Sequence, residues 1–336
     1  MSRKLLTLSL TATLMAGTSF AETPQVAVDI APVHSLVARV MAGVSTPDLI
    51  VQPGASPHEY SLRPSDAAAL QNADLIFWIG PDLTPWLTDT IQTLAPDAAV
   101  TALLEADGTI ELEFRESALF EAHDHDDHGE EAGHDDHGDE DGHDDHGDDH
   151  DDDHDEDAGH EGHDHGKHDP HAWLSAQNAM SWMNVIAGQL SAADPDNAGT
   201  YFANAAAGRG EIKTLIDEVN ATLAPVRDGQ FIVFHDAYQY FETDFDFPAS
   251  GAISLSDASD PSPARIAEIQ QRIAQEGIKC VLAEPQFNPG LVATVLDGSD
   301  AQTGILDPLG SDLEPGPALY PQLIRNLSTA LAGCMQ

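Results

Sequence analysis

Apolar and polar positions along this chain switch between the two-residue period of strands and the 3.6-residue period of helices. Residues 25–30 read QVAVDI, short and rich in β-branched side chains, and a helical stretch over 34–41 follows, with Ala31, Pro32 and Val33 leading into it. The same strand, loop, helix grammar returns in DLIVQPG at 48–54 and a helix over 64–72, with Pro64 in its first turn, where a missing N–H costs nothing. ADLIFWIGP at 73–81 is almost continuously apolar, as expected of a strand covered on both faces of a parallel sheet. A helix in TPWLTDTIQTLA and a strand in AVTALL complete a first α/β lobe.

Between 123 and 168 the pattern disappears. No apolar residue there is larger than alanine, so the segment cannot offset the entropy of ordering itself and reads as a disordered insertion. Beyond it, DPHAWLS leads into a helix over 176–190, and Asp194 and Pro195 punctuate the chain. One long amphipathic segment then runs over 196–223, with Tyr201, Ala205, Ile212, Leu215, Ile216, Val219 and Leu223 on one face; Gly208 and Gly210 weaken it locally. Pro225 ends it. Strand patterns resume in QFIVFHDAY, PASGAIS, KCVLAEP and TGILDPLG, with helices over 262–276, 289–297 and 321–331.

The predicted class is α/β: two Rossmann-like α/β lobes joined by one long rigid helix, with a disordered His/Asp-rich insertion in the first lobe. The expected boundaries are a signal peptide over 1–21, a first lobe over 22–194, the linking helix over 195–224 and a second lobe over 225–336. Arg3 and Lys4 followed by an apolar run form an export signal, and Ser19, Phe20 and Ala21 fit a small-x-small cleavage site after Ala21. No apolar run reaches the length of about 20 residues that a spanning helix needs. The expected location is the periplasm, as a soluble monomer.

Charge sharpens this picture. The chain carries 58 Asp and Glu against 13 Lys and Arg, a formal net charge of −45. Such a polyanion would be repelled by phosphate backbones, which excludes nucleic acid as a partner. Thirteen of the 17 histidines lie in the insertion among 22 acids and one lysine: His123, His125, His128, His134, His137, His143, His146, His150, His154, His160, His163, His165 and His168. Imidazoles with a solution pKa of about 6.5 are largely neutral at pH 7 and ligate metals, while the acids attract divalent cations over a distance. The insertion therefore reads as a set of weak, flexible sites that collect or sense divalent metals, zinc among them, against the alternative of a solubilising loop with incidental metal affinity.

Two cysteines in an exported chain suggest one disulfide, Cys280 to Cys334, closing a loop worth about 4 kcal/mol in the chain-entropy model. The four remaining histidines are His34, His58, His171 and His235. His58 follows the strand DLIVQ, His235 ends the strand in FIVFH, and His171 opens a helix; the carboxyl ends of strands are where open α/β sheets bind ligands. Three imidazoles and one oxygen donor make a tetrahedral site for zinc or a similar ion. Asp307 is favoured for the oxygen, with Glu284, Glu59 or water as alternatives. His34, at the start of the first helix, reads as structural.

The order PGASPHEYSLRPSD, a His- and acid-rich insertion, DPHAWLS, a long helix, FHDAYQYF, AEPQF and LDPLG resembles the ZnuA family, the zinc-receptor branch of the metal-binding periplasmic proteins of ABC transporters. The resemblance spans nearly the whole chain after the signal. It implies two α/β lobes joined by one long helix, with Zn2+ as the transported ligand, held between the lobes by His58, His171 and His235. It also implies a disulfide matching Cys280 and Cys334, and partners in a membrane permease and its cytoplasmic ATPase. Manganese receptors of the wider group usually carry an acid at one of the three His positions, so three histidines favour zinc. The family's fourth ligand varies between carboxylate and water, and Pro57 stands where some members have an acid. Two competing readings remain, a periplasmic zinc buffer that uses the insertion as its store, and a zinc metallohydrolase, which lacks any HExxH motif here.

Overall fold

The apolar runs pair in parallel, forming two sheets of the same topology. The computed structural model describes residues 23–115, 120, 168–254, 261–287 and 289–336; the expected signal peptide and insertion residues 123–167 lie outside them. In the first sheet β1 (Val26–Val28), β2 (Asp48–Leu49), β3 (Leu75–Trp78) and β4 (Ala99–Ala102) are ordered β2-β1-β3-β4. In the second, β5 (Phe231–His235), β6 (Gly251–Ser254), β7 (Cys280–Ala283) and β8 (Gln302–Ile305) are ordered β6-β5-β7-β8. Strand order reverses between β1 and β3 and between β5 and β7, so each sheet opens a crevice beyond the carboxyl ends of its central strands.

Helices cover both faces of each sheet. In chain order they are α1 (Ala31–Val40), α2 (Pro64–Asn72), α3 (Pro85–Leu94), α4 (Ala176–Ala193), α5 (Ala198–Leu223), α6 (Gln239–Phe245), α7 (Pro263–Glu276), α8 (Pro289–Leu296) and α9 (Leu319–Cys334). Leu70 of α2 with Leu87 and Ile91 of α3 pack against Ala27, Ile76 and Trp78 on the outer face of the first sheet. Ile269 and Ile273 of α7 with Val292 and Val295 of α8 do the same for the second. The inner faces share one continuous core, running from Val28 and Phe77 through Leu36, Trp182, Leu215 and Leu323 to Phe231 and Val233.

That shared core makes α5 more than a strut. The helix has 26 residues, about 39 Å at 1.5 Å per residue, and buries Ile212, Leu215, Val219 and Leu223. Gly208, an expected weak point, is a close-approach position: a Cβ there would lie 2.7 Å from the tip of Met183 on α4. Ion pairs clip α5 to both lobes, Arg39 donating to Glu211 through two bonds (3.0 and 2.8 Å) and Arg325 to Glu218 (2.7 Å). Tyr320 of α9 donates its N–H to Ser35 Oγ (2.9 Å) and its hydroxyl to the Trp173 carbonyl (3.0 Å), and Trp173 Nε1 donates to the Pro308 carbonyl (2.8 Å). These buried bonds cross between the lobes and hold them together.

Two helices differ from the sequence pattern. α9 starts at Leu319, ahead of Pro321, because a proline in the first turn forfeits no helical bond, and it runs on to Cys334. α6 buries Tyr240, Phe241 and Phe245, leaving little polar periodicity to mark it. Cys280 at the start of β7 is bonded to Cys334 at the end of α9, 54 positions further along the sequence. Cys334→Ser should lower the unfolding free energy by about 4 kcal/mol, the chain-entropy value for this loop. Chemical denaturation of oxidised, reduced and variant protein checks this: the reduced protein should match the variant.

Candidate metal centre

Three loops at the carboxyl ends of strands converge in the crevice between the sheets. His58 lies on the loop after β2, where Trp86 of α3 donates its Nε1–H to the Pro57 carbonyl (2.8 Å) and packs at a tilt against Tyr60 with ring centroids 5.6 Å apart. His171 precedes a short 3-10 turn, Ala172–Leu174, and His235 is the last residue of β5. One ligand atom from each of His58, His171 and His235 lies within 4.8 Å of the others, so the structure brings these three together. A cavity of about 20 Å³ lies beside them, bounded by Trp173, Phe287 and Leu309, which is room for one water-sized occupant.

Buried carboxylates orient two of the rings. Nδ1 of His171 lies 2.7 Å from Asp169 Oδ1, which also accepts the His171 backbone N–H (3.0 Å). Nδ1 of His235 lies 2.7 Å from Glu284 Oε1, across the switch point between β5 and β7. Against an ionised carboxylate each Nδ1 donates, and a neutral ring in that tautomer turns its Nε2 lone pair to the centre of the group. The two Nε2 atoms face one another at 3.3 Å. With both rings neutral and Nδ1-protonated, two acceptors this close are brought together favourably by a cation between them. Carboxylates that hold imidazoles in this way form the second layer found around metal-ligating histidines.

The electrostatics behind the rings are strongly acidic. Burial pushes the Asp169 carboxyl up to about 7, opposed by the His171 N–H and the charge of Arg115. Asp236 is also pushed up to about 7 by burial, again opposed by Arg115. Arg115 donates to Asp236 Oδ1 (3.0 Å) and to Glu242 Oε2 (2.6 Å), and these acids more than offset the lowering that burial imposes on its guanidinium. Such a pocket favours a divalent cation over a neutral or anionic ligand.

The other candidates occupy different positions. Asp307 lies outside the three-histidine group: its Oδ1 accepts the N–H groups of Leu309 and Gly310 (3.0 Å each), and its Oδ2 that of Ser311 (2.6 Å), closing the turn after β8. Glu284 holds Nδ1 of His235 and also lines the cavity beside the group, and Glu59 is exposed. His34 is buried and donates Nε2–H to the Pro47 carbonyl (3.0 Å), while burial lowers its pKa. His168 is half-buried, 3.6 Å from Glu111, and is the one insertion histidine among the described residues. Sequence reasoning overlooked Asp169 and Arg115, although Asp169 stands two places before His171 in the DPH motif.

Comparison with known proteins gives a consistent result. A family described as ZnuA, "Zinc-uptake complex component A periplasmic", matches residues 26–334. The chain is 50% identical over 320 residues to the high-affinity zinc uptake system protein ZnuA of Brucella abortus (strain 2308), covering 95% of this chain and 94% of that one. It is 46% identical over 316 residues to the protein of the same description from Paracoccus denitrificans (strain Pd 1222), covering 94% and 93%. A solved crystal structure of ZnuA shares the fold with a TM-score of 0.70 at 20% identity, covering 94% of this chain and 100% of that one.

Asp169→Asn and Glu284→Gln should each retain one tight metal equivalent while weakening zinc affinity by roughly 10- to 100-fold, the usual effect of removing a group that orients a ligand. Titration against a competing chelator measures both, and unchanged affinity in both variants would mean that the carboxylates do not orient the rings.

Proposed function

The chain belongs to the ZnuA family of periplasmic zinc-uptake components, and from that premise we propose that it binds one Zn2+ on His58, His171 and His235 between its lobes and delivers it to a membrane permease. It is a receptor for zinc and not an enzyme, in keeping with its relatives, which are zinc uptake proteins. As the periplasmic component of an ABC uptake system, it works with a permease and an ATPase.

The observation that carries the site is the 3.3 Å separation of the two facing Nε2 atoms. A tetrahedral zinc with Zn–N distances of about 2.0–2.1 Å requires neighbouring nitrogens about 3.3–3.4 Å apart. The spacing of His171 and His235 matches an edge of such a tetrahedron, which supports the reading. His58, on its loop, completes a three-nitrogen face. The fourth position falls to water, because both oxygens of Asp307 are committed to the turn at Leu309, Gly310 and Ser311.

The shared inner core leaves little room for the lobes to swing apart, so release proceeds by rearrangement of the loops that carry the histidines, at the permease. Residues 123–168 collect zinc on weak sites and raise its concentration near the fixed one. The signal peptide is cleaved after Ala21, and the mature chain acts as a soluble periplasmic monomer; among the described residues no helix is long and apolar enough to cross a membrane.

A zinc titration with a competing chelator tests this reading on mature protein lacking residues 123–168, beside the same chain with His58, His171 and His235 changed to Ala. One tight equivalent that disappears in the triple variant is the expected result. Absence of a tight equivalent without the insertion would overturn the receptor reading in favour of a zinc buffer.

A further inference from the structure

The foot of the insertion is built into the metal centre. Glu113 and His168 form an antiparallel bridge, and Asp169 donates its N–H to the Leu112 carbonyl (2.8 Å), so the chain leaves and returns through adjoining positions. The second lobe grips both sides of that foot. The Tyr240 hydroxyl on α6 accepts the Leu112 N–H (3.0 Å) and donates to the Asp169 carbonyl (2.9 Å). The neighbouring Gln239 amide, with its nitrogen turned inward, donates to the Glu113 carbonyl (3.2 Å) and to Asp169 Oδ2 (3.1 Å).

Arg115 makes the charged part of the same grip. Its guanidinium spans Asp236 Oδ1 (3.0 Å) and Glu242 Oε2 (2.6 Å), both carboxylates being 4% exposed and so largely shielded from water. Asp236 follows His235 directly in the chain, and Asp169 holds His171 Nδ1. The groups that fix the foot are thus the backbone neighbour of one ligating ring and the hydrogen-bond partner of another. A planar guanidinium reaches two carboxylates at once; a lysine ammonium carries the same charge without that fork.

We propose that Arg115 and Tyr240 form a positioning latch that fixes the foot of the insertion to the second lobe, holds His171 and His235 in ligating geometry and so sets the rate at which zinc leaves. The latch rests on the three-histidine zinc site proposed above. Coupling between sites is reciprocal, so a latch that steadies the ligands is itself steadied by bound zinc.

The test uses the full mature chain loaded with one equivalent of zinc, comparing wild type with Arg115→Lys and Tyr240→Phe. Release into excess chelator is followed by stopped flow, alongside amide hydrogen exchange of residues 110–115 and 168–172 with and without zinc. The latch predicts release roughly tenfold faster or more in both variants at little change in association rate. It also predicts that zinc slows exchange at the foot in wild type and much less in Arg115→Lys. Tyr240→Phe removes only a hydroxyl, so the test stands even where loss of the guanidinium fork unfolds the lobe. Wild-type release rates in both variants, or exchange at the foot indifferent to zinc, would overturn the latch while leaving the zinc site intact. Wild-type protein that takes up no tight equivalent would overturn the site and the latch together.

Discussion

Two imidazole Nε2 atoms held 3.3 Å apart in a buried crevice stand at the spacing of two ligands on one cation, and the molecule is arranged to maintain it. Asp169 and Glu284 fix the Nδ1 atoms of His171 and His235, which holds both rings with Nε2 facing inward. Each carboxylate has its own support. Asp169 sits beneath the grip of α6, and Glu284 lies just beyond β7, where the strand order of the second sheet reverses. Of the three histidines, His235 is set by a strand end, His171 by the turn that opens at Ala172, and His58 by its loop after β2.

The surroundings keep this geometry affordable in electrostatic terms. Asp169, Asp236 and Glu242 are all buried within one region, and burial raises all three pKa values. Arg115 offsets part of that negative charge in the absence of metal, and a bound divalent cation would offset more. Rigidity follows from the core shared by the inner faces of the two sheets, to which α4, α5 and α9 contribute buried side chains. A receptor of this kind is preorganised: little ordering remains to be done when the ion arrives, so more of the ligation energy appears as affinity.

Much of this was legible in the sequence because it is local. Apolar runs and helical periods marked the strands and most helices, and a histidine at the end of FIVFH needs only a parallel sheet to reach a crevice. The cysteine pair was equally legible, since an exported chain with two thiols has one pairing. What was not legible depends on distant partners. Arg115 meets Asp236 and Glu242 across 121 and 127 residues, with no periodicity to announce it. Asp307 looked like a ligand at a strand end, yet LDPLG is also a turn in which an aspartate caps the following amides, and the structure uses it so. The long helix was visible as an amphipathic stripe, but that it packs into a core common to both lobes could not be read from one face.

The most direct test of the account is anomalous diffraction at the zinc absorption edge from crystals of the zinc-loaded protein. The account predicts a single strong peak about 2.0–2.1 Å from the Nε2 atoms of His171 and His235 and from a ring nitrogen of His58, with Asp307 still bound to its own turn. A peak elsewhere, or none between the facing Nε2 atoms, would contradict it.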